Sequence, residues 1–192
     1  MKVILSSILI CILLVSLFAV VAIGTSSEYL QAEVVDLKMH DRIISSSAIR
    51  DALLCGDLSL ANTMLGYEYV ISGKVIAGNR LGRTIGFPTA NIEIPEYKLL
   101  PKDGVYRVKV KIKNQKSKIE NYLGMMYIGK RTVLKQKDVT THVEVHIFDF
   151  NRQIYGQEIA VALTHHIRDN IQFSDVGQLA EQLHRDRQNI NV

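Results

Sequence analysis

The sequence predicts a mainly β domain: a small antiparallel barrel of five or six short strands, joined by turns and closed by one C-terminal helix. Three stretches carry that expectation. Gly104–Lys113 sets Val108, Val110 and Ile112 against Arg107, Lys109, Lys111 and Lys113, an alternation that buries one face and wets the other. Thr140–Phe150 does the same, with Val143, Val145 and Ile147 on one side and His142, Glu144, His146 and Phe148 on the other. Such patterning belongs to antiparallel sheets rather than to buried parallel ones. Near the end, Ser174 is a good helix cap and Asp175 suits a first turn. Val176, Leu179, Ala180 and Leu183 then form one apolar stripe, expected to pack over an open end of the sheet.

The other elements follow in order. Val3–Ile23 is uncharged and almost wholly apolar, about long enough to cross a bilayer as a helix. Met1–Ile23 is expected to form an isolated apolar helix that does not join the barrel core. Glu28–Met39 is a polar connector. Ser45, Ser46 and Ser47 can cap a helix over Ala48–Leu54, broken at Gly56-Asp57, and a second helix over Leu58–Leu65 stops at Gly66. Tyr69–Ile76 opens the strands. The lysines of Gly104–Lys113 read as a solvated face and an edge guard rather than a binding patch. Asn114–Glu120 is a turn, Tyr122–Ile128 a strand, Asp149–Gly156 a hairpin turn and Gln157–Leu163 another strand.

At 192 residues the chain suits one domain with an appendage. Its net charge of +4 is mild and contains no long run of like charges. Aromatic residues are few and Trp is absent, which argues against a base-stacking platform and so against nucleic acid. Cys11 and Cys55 supply neither a disulfide framework nor a zinc spacing. A reducing cytosol is the expected setting of the folded part.

The chemistry concentrates in Gly73–Asn91, GKVIAGNRLGRTIGFPTAN. Gly78, Gly82 and Gly86 recur every four residues, with Arg80 and Arg83 between them. Glycines let a ligand approach the main chain, and successive free N–H groups can form an anion nest. Arg83 adds a planar fork of donors for phosphate. Thr89 and Asn91, beside Pro88, present neutral oxygens of the kind a loosely held Mg²⁺ accepts next to phosphates and water. No Gly-Lys-Ser/Thr follows, so this is not the common phosphate loop. On spacing alone, a glycine-rich hairpin with surface arginines explains the stretch equally well. Glu144, flanked by His142 and His146 on a half-open strand face, suits acid–base work. A zinc site from this trio ranks lower, because the helical zinc spacing is absent, and both histidines read as part of a polar face.

GRTIGFPTAN, with Gly73 and Gly78 upstream, resembles the signature of riboflavin kinases. GVYRVKV at 104–110, VEVHIFDF at 143–150, IYGQEI at 154–159, IRD at 167–169 and a closing QLAEQLHRD follow in the family's order. The resemblance runs from about Glu33 to the C-terminus, and is greatest to the kinase half of bacterial bifunctional riboflavin kinase/FAD synthetases. It implies a six-stranded Greek-key barrel and transfer of the ATP γ-phosphoryl group to riboflavin, giving FMN. It implies that Gly78, Arg83, Thr89 and Asn91 bind nucleotide, with Mg²⁺ at Thr89 and Asn91. Glu144 is then the general base and Arg168 lines the flavin side. ISSSAIR at 44–50 resembles a nucleotide-binding segment of the nucleotidyltransferase domain, although two capping helices without chemistry account for it better.

The division expected is 1–27 apolar helix, 28–66 the end of a nucleotidyltransferase domain, and 67–192 kinase. Three readings of 1–27 compete: a membrane anchor through residues 3–23, a signal peptide, or a truncated or misplaced gene start. The signal peptide is disfavoured, because a secreted kinase finds little ATP. No HxGH-type motif is present, so adenylyl transfer is not expected. The resemblance implies riboflavin and ATP as partners; a monomer is expected, with its catalytic domain in the cytoplasm. Three departures stand out: Asn170 where the family usually has Glu, Tyr127 in place of a frequent Asn, and KRTVL after Gly129 without the usual proline. Two alternatives remain: a catalytically impaired flavin- or nucleotide-binding remnant, and a nucleic-acid-binding barrel.

Overall fold

The computed structural model describes residues 38–39, 42–113, 117–130 and 141–190. The chain divides into two compact units, Met1–Lys38 and Met39–Val192. The apolar stretch 3–23, and with it the anchor reading, lies outside the described residues. Among the described residues no helix is long and apolar enough to cross a membrane.

Two short strands, β1 (Lys38–Met39) and β2 (Arg42–Ile43), precede helices α1 (Ser46–Cys55) and α2 (Leu58–Leu65). Both helices begin and end where local chemistry dictates. Ser45 Oγ accepts from the Ala48 N–H at 3.1 Å, and Asp57 Oδ1 accepts from the Leu60 N–H at 3.0 Å. Gly56 and Gly66 close the helices in left-handed conformation. The pair plugs one end of the barrel: Ala52, Leu53, Leu58, Ala61 and Met64 share one buried cluster with Ile71, Val108 and Val161. Asn62 ties the plug to two strands, donating to the Leu163 carbonyl at 3.0 Å and accepting from the Tyr69 N–H at 2.8 Å.

The barrel comprises β3 (Tyr69–Ile76), β4 (Ala90–Glu93), β5 (Gly104–Lys113), β6 (Ile119–Lys130), β7 (Thr141–Ile147) and β8 (Glu158–Arg168). It closes in the order β3-β4-β7-β6-β5-β8, every pairing antiparallel. This is a Greek-key barrel: β5, β6 and β7 form a meander, β7 returns beside β4, and β8 closes the ring between β5 and β3. Closure corrects one expectation. β5 pairs on both sides, so its lysines guard no edge; they are a wet outer face, where Lys109 pairs with Glu68. Strands β6 and β8 also run longer than alternation suggested.

Helix α3 (Leu81–Thr84) interrupts the β3–β4 connection, and α4 (Val176–Ile190) ends the described chain. α4 packs on the outer wall of the barrel rather than over an open end. There Ile190 and Leu183 join Phe87, Val105, Met125 and Phe148 in a second apolar cluster. Its N-terminus is capped one residue later than expected, by Asp175, whose Oδ1 accepts from the Gln178 N–H at 2.9 Å. That bond holds the Asp175 carboxyl below the usual carboxylate range.

Candidate active site

The ladder registers place one residue from each of five strands in a single row. Asn91 faces Glu144, Glu144 faces Tyr127, Tyr127 faces Val105 and Val105 faces Arg168. Directly opposed residues on neighbouring strands share a face. Their sequence neighbours Ile92, Val143, Val145, Met126 and Ile128 fill the barrel core, so the row lies on the outer face. Two ladder irregularities complete it: between Val108–Leu163 and Val105–Arg168 the pairing passes over Thr164 and then Ile167, and the two skips together keep Arg168 on this face. All five line one cavity of about 310 Å³, walled further by Ile85, Phe87, Phe173, Leu179 and Leu183.

The glycine-rich stretch folds over this row, with Asn79, Arg80, Leu81 and Gly82 on the cavity wall. Within it the N–H groups of Arg83, Ile85, Gly86 and Phe87 already donate to the carbonyls of Arg80, Gly82, Arg83 and Gly82. These four donors are spent on the turn and are not open to a ligand. Gly78 and Gly82 also serve close approach. A Cβ on Gly82 would stand 2.2 Å from the Phe87 carbonyl oxygen, and one on Gly78 would stand 2.2 Å from Asn91 Nδ2. The fold thereby seats Phe87 between the rings of His146 and His184, at centroid distances of 5.1 and 4.8 Å.

Thr89 Oγ1 donates to Glu144 Oε2 at 2.9 Å. Thr89 also borders a second cavity, of about 300 Å³, whose walls include Arg83, Phe150, Arg152 and Tyr155. The predicted site residues therefore separate. Thr89, Asn91, Glu144 and Arg168 line the first cavity, Arg83 lines only the second, and Gly78 packs behind Asn91. Arg152 is held over its cavity by Glu120 and by the Tyr122 hydroxyl at 2.9 Å. Its guanidinium carbon lies 5.1 Å from the centre of the Phe150 ring.

His146 is not on a polar face. It is 5% exposed, its Nδ1–H donates to the Pro88 carbonyl at 2.8 Å, and Phe87 and Phe148 pack on its ring. The covering of the outer wall by Phe87 and α4 defeats the alternation. Burial pushes its pKa below the usual imidazole value. No metal trio forms with His142 and Glu144; among the described residues no three His, Cys, Asp or Glu side chains converge. The donor set at Thr89 and Asn91, one hydroxyl and one amide oxygen, still fits a hard cation that keeps most of its ligands from phosphate and water. Asn170 donates to the Ile128 carbonyl at 3.4 Å and lies outside the cavity wall.

Sequence reasoning missed Asp186. Its carboxylate is 1% exposed and grips Arg168: Nε lies 3.0 Å from both oxygens and Nη2 lies 2.7 Å from Oδ2. A signal existed. Leu179, Leu183, Asp186 and Ile190 follow helical spacing, so a carboxylate stands inside the apolar stripe.

A family model described as riboflavin kinase (flavokinase) matches residues 65–192. The bifunctional riboflavin kinase/FMN adenylyltransferase of Bacillus subtilis is 41% identical over 153 residues, which cover 79% of this chain and 47% of that protein. Its counterpart in Haemophilus influenzae is 46% identical over 143 residues, 74% of this chain and 44% of that one. The solved structure of a macrolide-efflux protein from Streptococcus pneumoniae is similar with a TM-score of 0.71 and 37% identity, over 82% of this chain and 50% of that one. The chain spans about half the length of the curated relatives it matches.

Proposed function

The chain belongs to the riboflavin kinase family, and on that premise we propose that it transfers the γ-phosphoryl group of ATP to the ribityl 5′-hydroxyl of riboflavin, releasing FMN and ADP. The observation that carries the reading is the Thr89–Glu144 contact on the wall between two adjacent cavities. A two-substrate transfer requires two sites that meet where the group passes. The first cavity, with Val105, Met125, Phe87 and Phe173 in its walls, suits a planar, largely apolar ring system. The second, with Arg83 and Arg152, suits a nucleotide.

In this reading Glu144 takes the proton from the attacking hydroxyl, and Thr89, bonded to the same carboxylate, holds it toward the junction. Asn91 and Thr89 present oxygens to the Mg²⁺ that accompanies ATP, and the ion neutralises phosphate charge when bound. Arg83 steadies the nucleotide from the second cavity, and Arg168 closes the far end of the row on the flavin side. The proposal covers phosphoryl transfer and not adenylyl transfer, because the 192 residues hold no HxGH-type motif. It places the reaction in the cytoplasm, in a monomer, where riboflavin and ATP are the partners.

Glu144→Gln tests it. The substitution keeps the shape and removes the base, and positioned acid–base catalysis is worth about 10²–10⁴-fold. FMN formation from riboflavin and Mg-ATP should fall by that factor while riboflavin still binds. Turnover near the wild-type rate would sink the role of Glu144. A wild-type protein that forms no FMN would sink the function.

A further inference from the structure

Arg168 reaches the first cavity already constrained on two edges. Asp186 takes Nε and Nη2 in a bidentate grip at 2.7 to 3.0 Å, and Nη1 donates to the Asp169 carbonyl at 3.1 Å. Of the five guanidinium N–H groups, these bonds leave one on each terminal nitrogen. Asp186 is itself fixed, since Gln182 Nε2 donates to its Oδ1 at 2.9 Å. A carboxylate at 1% exposure is tolerated only when paired. One and two turns earlier on the same helix, Leu183 and Leu179 form part of the cavity wall.

We propose that Asp186 is a positioning residue for the flavin: it aims the Arg168 guanidinium at the carbonyl-bearing edge of the bound ring and seats the helix that supplies Leu179 and Leu183 to the cavity. The inference rests on the first cavity being the riboflavin site. Stability alone does not account for the arrangement. A buried ion pair is weak evidence for stability, and apolar residues of similar volume often hold two elements together as well or better. Charge and bidentate geometry at this point serve to orient planar donors.

The experiment measures riboflavin binding to the full chain by quenching of riboflavin fluorescence, without ATP, alongside thermal melting and the KM for Mg-ATP. Asp186→Asn should weaken riboflavin binding about 10- to 100-fold, the range for losing a charged hydrogen bond, and leave the KM for Mg-ATP within about twofold. The double variant Arg168→Met/Asp186→Leu replaces the pair by apolar side chains. It should regain the melting temperature that Asp186→Asn loses, and still bind riboflavin weakly. This second variant also decides the matter if Asp186→Asn does not fold. Wild-type affinity in the double variant, or a lowered melting temperature with unchanged affinity in Asp186→Asn, would reduce the pair to a structural staple and overturn the proposal. A wild-type protein that fails to quench riboflavin refutes the cavity assignment instead, and no variant is needed to see it.

Discussion

Gly78→Ala adds one methyl group beside Asn91. The new Cβ would lie 2.2 Å from Nδ2, 2.6 Å from Cγ and 2.8 Å from Oδ1. Ordinary contact begins near ~3.5 Å, so the amide must retreat by roughly 1 Å. Turning the amide about its own axis exchanges oxygen and nitrogen but leaves Cγ in collision. The backbone does not follow, because Asn91 is held in register with Ile76 on β3 and Glu144 on β7. Nor does alanine strain position 78, which is not among the glycines at positive φ. The methyl group therefore displaces the Asn91 side chain and little else. A misplacement of about 1 Å at a positioning group costs on the order of 10²-fold in rate. Initial rates of FMN formation against Mg-ATP should show kcat/KM lowered by about that factor. Riboflavin affinity should fall by a smaller factor, since Asn91 also lines the first cavity, and stability should move by about 1 kcal/mol or less. Activity within about threefold of wild type would refute the reasoning, as would an equal loss of riboflavin binding.

Two further outcomes are expected. Arg83→Ala should raise the KM for Mg-ATP by about tenfold, the scale of one charged hydrogen bond, and leave riboflavin affinity alone; an unchanged KM would return Arg83 to the exposed surface. His146 should make stability fall with acid. Burial depresses its folded pKa, so above about pH 6.5 both folded and unfolded chains hold it neutral. Below that the unfolded chain takes a proton the folded one refuses, and stability declines as pH falls toward the folded pKa. His166, also depressed by burial, acts with the same sign. Urea midpoints between pH 7 and 5.5 should therefore fall less steeply in His146→Phe than in wild type; identical slopes would contradict the buried placement.

What was legible in the sequence was whatever depends on near neighbours or on a repeating pattern. Ser45, Gly56, Asp57 and Gly66 bound their helices through bonds spanning three or four residues. Over Val108–Lys113 the alternation of β5 appears directly as buried and wet faces, because that part of its outer side meets water, whereas Val105 lies in the cluster under α4. Barrel closure in Greek-key order came from the family resemblance rather than from periodicity, since no local pattern states which strand pairs with which. Glu144 and Thr89 were singled out from stretches 55 residues apart in the chain, but their bond exists only through the β4–β7 ladder. The sequence by itself thus determined two plug helices, five of the six barrel strands, the last helix, their order and the residue types available for chemistry; α3 and β4, inside the glycine-rich stretch and at its end, were not read from it. Tertiary structure decided which face of the wall became a cavity, that His146 is buried and not polar, that Arg83 belongs to a different cavity from Asn91, and that Asp186 holds Arg168. The physical reason is common to all four: each depends on Phe87, α4 or a skipped ladder position arriving from elsewhere in the chain, and alternation records only that a strand has two faces, not what will cover them.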